Sequence, residues 1–418
     1  MRPFRIFLTT TAVIATFAFH APAFAETFEK YLERLSEHPQ IESILAGSEA
    51  LKFQAKGELG LPDPEVMIGV DNVPISDPAF DRFLPTSKVI GFSQAIPNPV
   101  ARGAKSERFE QMSEKQSLIA DYTESRLRFM LISKLAEYES VKTQTKLIKR
   151  QLGHYRELEN TFKGQIESGQ SVYQRFSEVD VERAEAERKL NDLEARKDSI
   201  EAEFVRLVSN VPDIDLPEIP DLEWAENARV LYPVLIASED IDIAKKDVGI
   251  ADAAFLPNFG VSAIYKQRED GERGSFSGDD WFSIQAKMSI PLWAESNQKP
   301  KRQAAIEREN SAKFAYDDVR RQWEQIMRSL KSNRDAASKN VKVLQDKDWA
   351  MKKKIDAAQR NYEAGTDNLD AVLFAKIDRL NIQSQLAEVK ASHISRSAEF
   401  NSNIIDAYTN NTSEEMSE

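Results

Sequence analysis

The sequence predicts a mixed fold: a membrane β-barrel assembled from strands of several chains, continued by a long α-helical barrel of antiparallel coiled-coil helices. Three observations predict it. No proline interrupts the stretch between Pro99 and Pro212, and none follows Pro300 through the last 118 residues, where Gly365 is also the only glycine. A pair of alternating apolar and polar segments precedes each stretch. The whole arrangement occurs twice.

Composition sets the class. The 418-residue chain carries 56 Lys+Arg against 68 Asp+Glu, a net charge of −12, with 30% charged and only 9% aromatic residues, which suits solvated helices better than thick spherical cores. Zero cysteines exclude disulfide scaffolds, zinc knuckles, iron–sulfur sites and thiol nucleophiles. An acidic chain also lacks the basic surface that phosphate tracking needs, so no nucleic-acid partner is expected.

The elements follow in chain order. Arg2 and Arg5, a mostly apolar stretch from Ile6 to Phe19 and the small-x-small run Ala23-Phe24-Ala25 read as a signal peptide over 1–25, cleaved on export. That stretch is too short to span a bilayer, and no later apolar run approaches the ~20 residues required. The first repeat, 26–209, opens with a helix near Thr27. A strand over 65–73 follows, then a second in which Ile90, Phe92 and Ile96 alternate with Gly91, Ser93 and Ala95. A helix over 104–168 reaches Gly169, where the chain reverses into a helix over 170–209. Its seam recurs at threes and fours through Leu131, Leu135, Tyr138, Ile148, Leu152, Tyr155, Leu158 and Phe162, the spacing of a coiled coil.

A proline-rich linker, 210–230, leads to the second repeat, 231–408. There a helix over 232–255 precedes a strand with Phe259, Val261, Ala263 and Tyr265 on one face. A charged, glycine-rich loop then leads to Phe282, Ile284, Ala286, Met288 and Ile290, which alternate with Ser283, Gln285, Lys287 and Ser289. The helix over 301–364 reverses at Gly365 into a return over 367–408, before a polar acidic tail, 409–418. Landmarks repeat at a nearly constant offset: Pro39 and Pro233, Pro97 and Pro291, and Lys105 and Lys299 are each 194 residues apart, and Gly169 and Gly365 are 196 apart. Tandem duplication of one unit is the simplest account.

Strands of ~9–11 residues with an apolar face suit a lipid-facing barrel, and equally a soluble sheet with one buried face. The export signal and the missing spanning helix favour the membrane. The candidate lipid-facing residues are Ile90, Phe92, Phe259, Val261, Tyr265, Phe282, Ile284 and Met288. Four strands cannot close a membrane barrel, whose minimum is about eight, so closure requires further chains. The two descending helices span about 96–97 Å at ~1.5 Å per residue. The shorter return over 170–209 is expected to be completed by the helix over 232–255, and the second return by the helix starting near Thr27.

These features resemble the TolC family of outer-membrane efflux channels. Gly60-Leu61-Pro62-Asp63-Pro64, Asp71-Asn72-Val73-Pro74, Pro85-Thr86-Ser87-Lys88 and Gln94-Ala95-Ile96-Pro97 look more like its heavy-metal efflux branch than its drug-exporting branch. The resemblance implies a homotrimer in the outer membrane of a Gram-negative bacterium, with a twelve-stranded barrel in lipid and a periplasmic tunnel. It further implies docking onto a periplasmic adaptor, the membrane fusion protein, and an inner-membrane RND-type pump. The function so implied is a passive exit duct for heavy-metal cations. Drug or type I protein export, and a periplasmic coiled-coil scaffold or adaptor, are the alternatives.

Where the family often carries acidic pore residues, this chain has Ala371 and Phe374. Arg175, Glu178, Asp367, Asp370 and Phe374 are therefore the aperture candidates. The reversal points and their neighbours, Gly169, Gln170, Ser171, Val172, Gly365, Thr366 and Asn368, are the candidates for adaptor contact. No catalytic residue, metal ligand set or cofactor site is expected. His38, His154 and His393 are far apart, the methionines are scattered, and no nucleophile–base constellation is visible.

Overall fold

The computed structural model describes residues 27–76 and 78–405. The export segment 1–25 and the tail 409–418 lie outside the described residues. The elements are α1 (Phe28–Ser36), α2 (Pro39–Glu58), β1 (Glu65–Asp71), β2 (Ser87–Ile96), α3 (Pro99–Glu167), α4 (Tyr173–Val208), α5 (Tyr232–Ala253), β3 (Phe259–Gln267), β4 (Trp281–Met288), α6 (Gln298–Glu363) and α7 (Leu369–Asn401). The order strand, strand, long helix, return helix thus occurs twice.

Helix starts follow local chemistry. Pro39 and Pro99 stand where a helix can spare an N–H. Asn98 accepts the Val100 N–H at 2.8 Å, and the His38 ring accepts the Gln40 N–H at 3.2 Å. Pro39 also explains a departure from the single N-terminal helix expected: the chain breaks at 37–38 and begins a new helix. α3 runs 69 residues and α6 runs 66, about 100 Å each.

The four strands form one antiparallel sheet in the order β1-β2-β3-β4. Its register aligns Ile68 with Ile90, Ile90 with Tyr265, and Tyr265 with Phe282; one row nearer the helices, Val66, Phe92, Ala263 and Ile284 align. Residues directly opposite share a face, so every candidate lipid-facing residue falls on one side. The other side carries Asp71, Ser93, Ser262, Lys266, Ser283, Gln285 and Lys287. β1 and β4 are shorter than expected. β1 ends where Asn72 takes a φ of +55°. β4 ends before Ser289, whose N–H turns to the Asn258 carbonyl at 2.8 Å, and Pro291 could not have continued the ladder.

Below the sheet, α3 packs against α2 and α4 on one side and against α5 and α7 on the other, and α6 packs against α5 and α7. The helices therefore form one layer, with α2 and α4 along one edge and α6 along the other. The half-length helices stack differently from the sequence expectation. The Tyr232 N–H bonds to the Asn403 carbonyl at 3.0 Å, and Leu231 bridges to Ile404, so α5 continues α7. α1 and α2 continue α4: Tyr31 and Leu35 share a core with Ile200, Phe204, Leu207 and Val208. The cause is the 209–227 strap, which crosses the layer sideways before α5 begins. Its path is fixed by Asn401, donating to the Pro220 carbonyl at 2.8 Å, and by the buried Arg334, donating to the Leu222 carbonyl at 2.7 Å and stacked 4.8 Å from the Phe400 ring.

Candidate functional site

Two surfaces stand out: the apolar side of the sheet, and the free tip of the helical hairpins. On the sheet, Phe282 is 66% and Ile284 74% exposed, and Ile90, Phe92, Phe259, Val261, Tyr265 and Met288 are exposed as well. Val66, Ile68 and Val70 of β1 extend the same apolar face. Among the described residues no helix covers that face, and a patch of this size on a water-facing sheet would drive aggregation. Just beyond β4 it continues into exposed Ile290, Leu292 and Trp293. Among the described residues, no helix is long and apolar enough to cross a membrane.

At the other end, the two hairpin tips repeat one motif. Gly169 (φ +87°) and Gly365 (φ +71°) occupy the left-handed region in which a Cβ is penalised. The Gln170 N–H bonds back to the Gln165 carbonyl and the Thr366 N–H to the Asn361 carbonyl, both at 2.9 Å. Gln170, Ser171, Thr366 and Asn368 are exposed at these turns, whereas Val172 is half-buried against the core behind them. That core joins both hairpins: Ile148, Leu152, Tyr155, Leu158 and Phe162 of α3, Val179 and Ala186 of α4, and Leu373 and Ile377 of α7. Burying each Leu or Phe there contributes about 1.5–3 kcal/mol.

The structure separates the five aperture candidates into two groups. Arg175 and Asp370 form a salt bridge between the two hairpins, with the Asp370 side chain only 3% and Arg175 47% exposed. Asp370 also accepts the Ala371 N–H at 3.1 Å in the first turn of α7, and the Arg175 guanidinium lies 5.2 Å from the Phe162 ring. Phe374 is half-buried against the same core. Glu178 and Asp367 are exposed and keep local partners: Glu178 accepts from Gln174 at 2.9 Å, and Asp367 from the Asn368 N–H at 2.8 Å.

Sequence reasoning missed a second tie farther up. Arg379 of α7 donates to both oxygens of Asp348 on α6, at 2.9 and 3.0 Å. These hydrogen bonds hold the Asp348 carboxyl below its ordinary range. Thirty-one residues and a hairpin turn separate the pair, so no local spacing could have revealed it. Lys134 and Arg196 likewise converge on Glu137 at 3.1 and 2.8 Å, linking α3 to α4. Burial pushes the Glu137 carboxyl up, but its bonds to Arg196 and Lys134 prevail and hold it down. His154 lies 3.2 Å from Glu157 and His393 lies 3.2 Å from Asp221. Among the described residues, no group of three or more His, Cys, Asp or Glu side chains could hold a metal ion.

Comparison with known proteins agrees with this geometry. Residues 234–400 match the family model described as outer membrane efflux protein. The outer membrane efflux protein BepC of Brucella suis is 26% identical over 230 residues, 51% of this chain and 50% of its own, so the match spans about half the length of that relative. Among solved structures, the outer membrane protein VceC of Vibrio cholerae superposes with a TM-score of 0.70 at 15% identity, covering 91% of this chain and 95% of that one. The Neisseria gonorrhoeae MtrE outer membrane channel, solved in its open state, gives 0.73 at 15% identity over 89% and 87%. CusC, described in terms of folding and transmembrane channel formation, gives 0.72 at 10% identity over 90% and 91%.

Proposed function

We propose that this chain, whose residues 234–400 match the outer membrane efflux protein family and whose fold along its length is that of outer-membrane efflux channels, is the exit duct of a tripartite efflux system. Three identical chains close one barrel and one tunnel, and cargo passes passively from pump and adaptor to the exterior. The observation that carries this reading is the sheet, with its broad apolar face, broken within β2 only by Gln94 between Phe92 and Ile96, and its two terminal strands, β1 and β4, each bonded on one side only among the described residues. Open edges are not tolerated in lipid. A neighbouring copy whose β1 joins this β4 satisfies both edges, and the same contact brings the α2 and α4 edge of one helical layer to the α6 edge of the next.

Residues 1–25 are the export signal in this reading, and the two repeats, 26–209 and 231–408, flank the equatorial segment 210–230. The tip turns around Gly169 and Gly365 receive the adaptor. The Arg175–Asp370 tie, with Phe374 behind it, holds the tip narrow. The cargo is heavy-metal cations. Support comes from the heavy-metal-branch motifs of the first repeat and from the acid excess, which grows from −12 to −14 once Arg2 and Arg5 leave with the signal.

Deleting the gene in its host and challenging with metal salts, drugs and detergents tests the reading. Metal sensitivity restored by the intact gene is the expected result. Sensitivity to drugs alone would move the cargo to the drug-exporting class. A protein that fractionates as a soluble monomer, with no heat-modifiable band on a mild-detergent gel, would return it to the scaffold class.

A further inference from the structure

Beyond the strands, on the side away from the helices, the two connecting loops form a joined cap. The loop over 72–86 is closed by Thr86, whose hydroxyl donates to the Asn72 carbonyl at 3.1 Å. The loop over 268–280 is tied to it where the Glu272 N–H meets the Asp81 carbonyl at 2.9 Å, and to the start of β2 where Lys88 pairs with Glu269 at 2.9 Å. At the centre is Arg268, only 7% exposed at the outer end of a membrane sheet. Its guanidinium lies 4.3 Å from the Trp281 ring and 5.9 Å from that of Phe276, and it donates to the Asp279 carbonyl at 3.2 Å and the Ser277 carbonyl at 3.3 Å. The Arg268 N–H bonds to the Asp280 carboxylate at 3.0 Å. One cation therefore folds its own loop back on itself.

The register fixes which way this fold leans. Trp281 stands directly opposite Lys266, and Lys266 pairs with Asp71, all on the polar side of the sheet. The guanidinium stacked on Trp281 holds the Ser277 and Asp279 carbonyls toward that same side, while the Asp280 carboxylate also accepts the Tyr265 hydroxyl from the apolar side and anchors the base of the loop. If the apolar side faces lipid, as the proposed function requires, the polar side is the interior of the barrel, and the Arg268 cage buttresses a ledge over its outer mouth.

We propose that Arg268 is a positioning residue for a size filter at the extracellular exit, one ledge per copy, and that it limits which bulky solutes enter the barrel from outside. The proposal rests on the channel reading above. Stacking on a flat indole and donating to two carbonyls at once uses the planar fork of arginine, which an ammonium cannot reproduce. Removing it uncovers the Trp281 ring and frees the ledge, while the hydrogen bonds of the strand ladder stay in place.

The chain has no cysteine, so a reporter thiol is unambiguous. Gln285→Cys places it on the polar side of β4, below the mouth, and intact cells are treated with a small maleimide or a bulky polymer-linked one. In the Gln285→Cys background the small reagent labels and the bulky one does not. Adding Arg268→Ala is expected to raise bulky labelling roughly ten-fold, with small-reagent labelling and the heat-modifiable band unchanged. Arg268→Lys should leave most of that increase in place. A disulfide between Asp81→Cys and Glu272→Cys, oxidised before the Gln285→Cys reporter is exposed to reagent, should restore exclusion. Bulky labelling unaltered by Arg268→Ala would overturn the filter. If even the small reagent failed to reach Gln285→Cys in the parent, the channel reading itself would fall.

Discussion

Asp370 and Arg175 are unequal partners, and the inequality is measurable. The carboxylate is almost wholly enclosed, whereas the guanidinium keeps nearly half its surface in water. Taking away the acid leaves a cation that water can solvate. Taking away the arginine leaves a buried anion with only the Ala371 N–H and the start of α7 to hold it. Arg175→Ala is therefore expected to destabilise the hairpin tips by about 2 kcal/mol, and Asp370→Asn by less than half of that, as read by thermal unfolding of the detergent-solubilised protein. Because the bridge joins the two hairpins, both substitutions, and charge reversal at Asp370 still more, should raise single-channel conductance in a planar bilayer. Equal stability losses with unchanged conductance would reduce the pair to an ordinary surface contact.

Along the helices, a few ties supplement a continuous apolar seam. Asp348 is the clearest, because its carboxyl is held below its ordinary range by Arg379. A group whose pKa falls on folding contributes stability above its unfolded pKa, and that contribution disappears as pH drops through the folded value. The stability difference between the parent and Asp348→Asn should thus be constant from pH 7 to about 5, begin to shrink near the ordinary carboxylate value of about 4, and be lost only below the still lower folded value, when urea unfolding of the pair is compared across pH. A difference that did not shrink at all as pH fell below about 4 would assign the effect to packing. How far such elements can be read from the chain depends on range. The long helices are legible because proline is missing, and the sheet face is legible because period-two alternation survives in Phe282 to Met288. The reversal points are legible because only glycine suits their φ. The stacking of α5 on α7 was misread, since chain order carries no record of a strap that crosses sideways. The Arg175–Asp370 and Arg379–Asp348 ties and the buried Arg334 have no local signature, because each depends on which helices become neighbours.

For the assembled molecule, the decisive asymmetry is between neighbouring residues of one strand. Ile284 lies on the apolar side of β4, in the row of Val66, Phe92 and Ala263, and Ser283 lies on the polar side opposite Ile264. In a soluble sheet whose apolar side is buried by protein, arginine at 284 would unfold the core and arginine at 283 would be harmless. In a lipid-embedded barrel the first substitution places a cation in hydrocarbon, costing about 2–4 kcal/mol in each copy near the midplane, while the periplasmic helices lose nothing. Ile284→Arg should then leave helical content by circular dichroism nearly intact and abolish the heat-modifiable band and outer-membrane fractionation. Ser283→Arg should insert and assemble normally but lower conductance, because each copy adds a cation to the same ring of the lumen. The joint outcome separates the two architectures: loss of helices at 284 would indicate a protein-covered face, and indifference of conductance at 283 would mean that the polar side does not line the path.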